Sequence, residues 1–155
     1  AGGLIGWAND AVVVRDSSVT GTVTSTEYAG GIVGGIWDGQ IMDSTASVTV
    51  TGSTSQTISG VGGLVGRSSG AISNTTATGD VDGHINVGGL VGYAEGVLSR
   101  STAEGAVTGE SAVGGLVGTL EAEAPSSSAE IRDSTSRGDV SGSSLVGGVA
   151  GSRGE

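Results

Sequence analysis

Gly62-Gly63-Leu64-Val65-Gly66 returns as Gly88-Gly89-Leu90-Val91-Gly92 and again as Gly114-Gly115-Leu116-Val117-Gly118, two successive steps of 26 residues. A fixed period of that length is the signature of a repeat architecture. Working outward, three further copies appear. They are Gly2-Gly3-Leu4-Ile5-Gly6, Gly30-Gly31-Ile32-Val33-Gly34 and Gly147-Gly148-Val149-Ala150-Gly151, reached by intervals of 28, 32 and 33 residues. The longer intervals place their extra residues at two points only, around Ser53–Gly60 and Thr119–Glu130, the latter carrying Pro125 and a serine run. Insertions confined to fixed points mark loops that project from a regular coil.

Between the glycine motifs a second pattern runs Ile72-x-Asn74-Thr75-Thr76-Ala77-x-Gly79-x-Val81-x-Gly83, with counterparts at 14–25, 41–52, 98–109 and 131–142. Here Ala77, Gly79 and Val81 alternate with Thr76, Thr78, Asp80 and Asp82. Period-two alternation belongs to a strand, and Gly, Val and Thr are poor helix formers. The fold read from these patterns is all-β. It is a single-domain parallel β-solenoid over 1–155, of about five coils with a 26-residue basic repeat. Coils begin near Gly2, Gly30, Gly62, Gly88 and Gly114, with a terminal partial coil from Gly147. Stacked coils rise about 4.8 Å each, so the stub is on the order of 25 Å long.

The columns sharpen this reading. Val19, Ala46, Ala77, Ala103 and Ser136 form one inward ladder, and Val23, Val50, Val81, Val107 and Val140 a second. Ser17, Ser44, Thr75, Ser101 and Ser134 form a third, whose hydroxyls suit bonds along the stack or to backbone. Asp16, Asp43, Asn74 and Asp133 precede that ladder as an Asx-type corner, with Arg100 the exception. Leu4, Ile32, Leu64, Leu90, Leu116 and Val149 form the one column that strict alternation leaves undecided. Burial at a glycine bend is the favoured reading. An outward stripe, with Leu4, Leu64, Leu90 and Leu116 as self-assembly contacts, is the alternative.

Composition agrees. Among 155 residues there are 32 Gly, one Pro, no Cys and no Phe, so a thin interior filled by small residues replaces a conventional core. Collagen is excluded, because glycine does not fall every third position. Sixteen acids against six arginines give a net charge of −10, with no lysine. Such a polyanion is repelled by nucleic acid and by anionic lipid heads. No apolar run approaches a membrane span, so no membrane insertion is expected. The acidic, lysine-free composition is similar to that of proteins from halophilic archaea.

The Gly-Gly-Leu-Val-Gly core together with its intervening pattern closely resembles the GLUG motif, found in tandem in large bacterial and archaeal surface proteins and adhesins. The resemblance covers nearly the whole chain. It implies an extracellular, cell-surface β-solenoid segment, commonly a stalk or adhesive region, and it carries no catalytic residues to transfer. The last copy, with Val149 and Ala150, departs from the pattern as an end coil would.

Site chemistry is sparse. His84 stands alone in a turn with no Cys, so no nucleophile–base set can be assembled and no enzyme activity is expected. Asp80-Val81-Asp82-Gly83 lacks the remaining ligands of a calcium loop. Solvated charge is the default there, calcium the minor alternative, and no other cofactor is expected. The glycine motif lacks the Gly-Lys-Ser/Thr ending of a phosphate loop. Asn74-Thr75-Thr76 is a glycosylation sequon at Asn74. Outward Thr22, Thr24, Thr49 and Thr51 start a threonine array that breaks at Asp80 and Asp82, which argues against ice binding.

Trp7, Trp37 and Tyr93 each follow a glycine motif by one to three residues and are placed along one corner. There they either cover the coil or anchor a partner. Two functional readings follow. The first is a structural subunit or segment of a cell-surface filament or stalk, assembling head to tail because the first and last motifs share one repeat phase. The second is an adhesin module that binds a surface glycan or protein through the aromatic corner.

Overall fold

The computed structural model describes residues 1–53, 60–122 and 128–154. Most of the first insertion and the middle of the second, Pro125 included, lie outside the described residues. Among them every element is a strand, and every pairing between strands is parallel. One coil passes through four sheets in turn. The strand Val33–Ile36 belongs to a six-stranded sheet that also holds Ile5–Ala8, Val65–Ser68, Val91–Ala94, Val117–Leu120 and Ala150–Arg153. Gln40–Met42 lies in a five-stranded sheet, Thr45–Thr51 in an eight-stranded one, and Val61–Gly62 in a further five-stranded one. The chain then re-enters the first sheet one level up. This is a β-solenoid.

Register follows the columns of the sequence. Ala77 pairs with Ala46 and Ala103, and Val81 with Val50 and Val107. All six residues are buried in one continuous core. The eight-stranded sheet has an internal change. Ser18–Thr24 and Thr45–Thr51 are unbroken seven-residue strands, whereas later coils split into pairs such as Thr76–Ala77 and Val81–Asp82. The later strands break at Gly79, where a Cβ would lie 2.1 Å from the Val48 carbonyl oxygen, whereas Gly21, at the same place in the first coil, meets nothing within 4 Å and stays inside an unbroken strand. The backbone of the third coil presses onto that of the second where a side chain would otherwise stand.

The glycine motif is a tight bend. Leu64 and Val65 both donate their N–H groups to the Leu90 carbonyl, at 2.9 Å each. Leu90 and Val91 do the same to Leu116, at 2.9 and 3.0 Å. One carbonyl thus serves two successive donors, which turns the chain and lets Leu and Val both enter the core. Ile32, Leu64, Leu90 and Leu116 are fully buried together with Val33, Val65, Val91 and Val117. The outward-stripe alternative is therefore overturned for Leu64, Leu90 and Leu116, which reach no partner. A fully buried leucine contributes roughly 2 kcal/mol. Gly88 shows why the bend needs glycine: a Cβ there would sit 2.0 Å from the Val91 carbonyl oxygen and 2.7 Å from the Gly118 nitrogen.

The corner before the hydroxyl ladder is left-handed in every coil. Asp16, Asp43, Asn74, Arg100 and Asp133 all stand at φ between 47° and 53°. Asn and Asp tolerate this region, and arginine does so at a steric cost. The hydroxyls complete the corner. Ser101 Oγ donates to the Ser99 carbonyl at 2.8 Å and accepts from the Thr75 N–H at 3.1 Å and the Thr75 hydroxyl at 3.0 Å. Ser44 and Ser134 make the same bonds to Met42 and Arg132, at 2.7 Å each.

Only the end coils expose core columns. Leu4 is 54% exposed, and Leu145 and Val149 are 59% and 49% exposed, where their counterparts within the stack are almost fully covered.

Candidate functional site

Residues one level apart in a parallel stack lie side by side, so a column of one-off residues becomes a surface strip. Register places Trp7 beside Gly35, Gly35 beside Arg67, Arg67 beside Tyr93, and Tyr93 beside Thr119. Trp37 follows the strand Val33–Ile36 by one residue and lies next to this column. The Trp7 ring covers Gly35, whose missing Cβ leaves the space: a Cβ there would lie 2.1 Å from the ring. The Trp7 indole N–H donates to Asn9 Oδ1 at 2.8 Å, and its ring centre is 5.6 Å from that of Tyr28, tilted by 46°.

Arg67 is the centre of the strip. Its guanidinium carbon is 4.9 Å from the centre of the Trp37 ring and 5.2 Å from that of Tyr93. Its fork engages Glu95 through Nε at 3.3 Å and Nη2 at 3.1 Å, and Nη1 donates to the Tyr28 hydroxyl at 3.5 Å. Burial of the guanidinium works against its charge, but the bonds to Tyr28 and Glu95 outweigh it and hold the proton more tightly than usual. The Glu95 carboxylate is almost wholly buried, and Arg67 is the partner that makes this tolerable. The Tyr93 hydroxyl donates to Glu121. Burial first, and then that carboxylate, push the Tyr93 phenol up to about 12.

The strip therefore brings Trp7, Trp37 and Tyr93 into one cluster and adds Tyr28 and Arg67. Trp7 and Trp37 are the exposed members, at 45% and 36%. A cleft of about 350 Å³ opens beside Trp7, lined also by Tyr28, Glu27, Ser25 and Ala1 among others. Both tryptophans are held in fixed positions, Trp7 by Asn9 and Gly35, Trp37 by Arg67.

The remaining candidates are placed elsewhere. Leu4 is exposed in the first coil, where it stacks directly on buried Ile32. Asn74 is exposed and its amide donates to Asp43 Oδ1; Thr76, which supplies the sequon's hydroxyl, is half-buried, and Thr75 between them is buried against Ser101. Asp80 Oδ1 accepts the Ala106 N–H at 2.9 Å, which gives this acid a backbone role between coils. No group of three His, Cys, Asp or Glu side chains among the described residues is placed to hold a metal ion. His84 Nδ1 lies 2.7 Å from Glu110 Oε2 in the next coil. No helix of the described residues is long and apolar enough to cross a membrane.

The family model described as the GLUG motif matches this chain over residues 25–51, 58–82, 83–108 and 109–141. These four segments carry the glycine motifs at Gly30, Gly62, Gly88 and Gly114 in the stack described above. No curated protein and no solved structure matches the chain.

Proposed function

Because the chain belongs to the GLUG-motif family, we propose that it is a structural β-solenoid element of an extracellular, cell-surface filament or stalk, extended by strand stacking at the ends of its coils. The observation that carries this reading is the contrast within one column. Ile32, Leu64, Leu90 and Leu116 are sealed only where another coil of the same kind lies on each side, and Leu4 and Val149, each with a coil on one side, stay half exposed. Unpaired parallel edges and uncovered apolar columns are templates for another coil of the same kind. A further coil set on the last one receives the N–H groups of Val149 and Ala150 on the carbonyl of its own Leu4 position, as Leu90 receives those of Leu64 and Val65.

The fold is of a structural type, and its regular features serve stacking: hydroxyl corners, glycine bends and a core of small side chains. Sedimentation velocity over a wide concentration range tests the proposal. The wild-type chain is expected to form species larger than one copy as concentration rises, and Val149→Lys to remain at the single-copy value. A wild-type chain that stays a single copy at millimolar concentration contradicts it, as does a Val149→Lys chain that assembles equally well.

A further inference from the structure

We propose that the Trp7–Trp37 strip docks a basic, arginine- or lysine-bearing segment of a partner protein. The strip runs along the side of the stack from Trp7 in the first coil to Tyr93 in the fourth, so of its two exposed rings only Trp7 lies on a face that end-to-end stacking would cover. Two observations carry it. First, aromatic rings attract a cation over their faces, and the strip already holds one guanidinium in this way, Arg67 between Trp37 and Tyr93. That internal charge is neutralised by Glu95, so it does not repel a second cation. Second, the surroundings are acidic. Glu27 lines the cleft beside Trp7 and Tyr28, where it faces the Ala1 amino group, and exposed Asp38, which faces no such cation among the described residues, follows Trp37 directly. On a chain of net charge −10 this favours a cationic occupant and disfavours an acidic polymer.

The geometry is also prepared for binding. Trp7 and Trp37 need no reordering to present their exposed faces, since Asn9, Gly35 and Arg67 already fix them. Rings fixed in advance lose little conformational entropy on docking. The chain contains two tryptophans, both in the strip, so its fluorescence reports on this place alone.

The test is a fluorescence titration with an arginine-rich nonapeptide, run beside a neutral oligosaccharide and a uronate polymer. A saturable change with the peptide is expected, weakening as salt is raised. Glu27→Gln with Asp38→Asn should lower peptide affinity at least fivefold more than the charge-matched pair Asp82→Asn with Asp139→Asn on another face. A labelled peptide should also bind Trp7→Ala/Trp37→Ala at least tenfold more weakly. Equal loss in the two charge-matched pairs overturns the proposal, because bulk charge alone then explains binding. A response to the neutral sugar without one to the peptide overturns it in favour of a glycan.

Discussion

Arg100 stands at φ 47° in the corner that Asn74 occupies one coil earlier at φ 53°, and its backbone N–H pairs onward with Arg132 just as that of Asn74 pairs with Ser99. The corner is thus imposed by the stack and not by the residue. A left-handed conformation costs an ordinary L-residue roughly 1–2 kcal/mol, and Asn tolerates it best after glycine. Arg100→Asn should therefore stabilise the chain by about 0.5–1 kcal/mol, read as a rise in thermal midpoint. An unchanged or lower midpoint would show that the Arg100 side chain contributes more than its backbone loses.

The bend makes a sharper demand at Gly88 than at Gly148. Gly88→Ala brings a methyl group onto the Val91 carbonyl and the Gly118 nitrogen, both backbone atoms that cannot step aside. Gly148→Ala meets nothing within 4 Å. The first substitution should cost about 3 kcal/mol or more and the second under about 0.5 kcal/mol. Chemical denaturation of the two variants compares them directly.

In the hydroxyl ladder the acceptor matters more than the donor. Ser101→Ala leaves the Thr75 N–H and hydroxyl without their acceptor inside the core, a loss of about 1–3 kcal/mol. Thr75→Val removes a donor of nearly the same shape, and Ser101 keeps its bond to the Ser99 carbonyl. Its cost should be about 1 kcal/mol or less. The ordering of the two melting temperatures checks this, and a reversed order contradicts the assignment of roles.

Tyr93 links the aromatic strip to alkaline stability. Its phenol is pushed up to about 12, by burial and by Glu121, from an ordinary value of 10.0. Between pH 10 and 12 the unfolded chain loses this proton while the folded chain keeps it. Folding therefore weakens as pH rises through that window, and the Tyr93 contribution is intact below pH 10. Tyr93→Phe should flatten the fall in stability between pH 10 and 12, measured by denaturant titration at fixed pH values.

What the sequence reveals here depends on repetition. The Val81 column can be read because valine recurs in all five coils, and the Ala77 column because a small or β-branched residue recurs at the same place in each. So can the corner acids, where four of five positions carry Asp or Asn. The Leu column was undecided for a physical reason: period-two alternation assumes straight backbone, and the doubly used carbonyl at Leu90 bends it. The interrupted strands at Gly79 are not legible either, since a glycine in an alternating run looks like a small inward residue, as Gly21 in an unbroken strand shows. Arg67 was least legible. It occurs once in a column shared with Trp7, Gly35 and Tyr93, so only the register between coils reveals that a cation lies between two rings. The faint signal was its place right after Gly62-Gly63-Leu64-Val65-Gly66, where other coils put Trp7 and Tyr93.

Electron microscopy of the purified chain in negative stain and in ice tests the stacking account most directly. Rods much longer than the roughly 25 Å of one stack are expected, with an axial spacing of about 4.8 Å running unbroken through the junctions. Isolated particles of about 25 Å at high protein concentration, with no end-to-end contact, would contradict it.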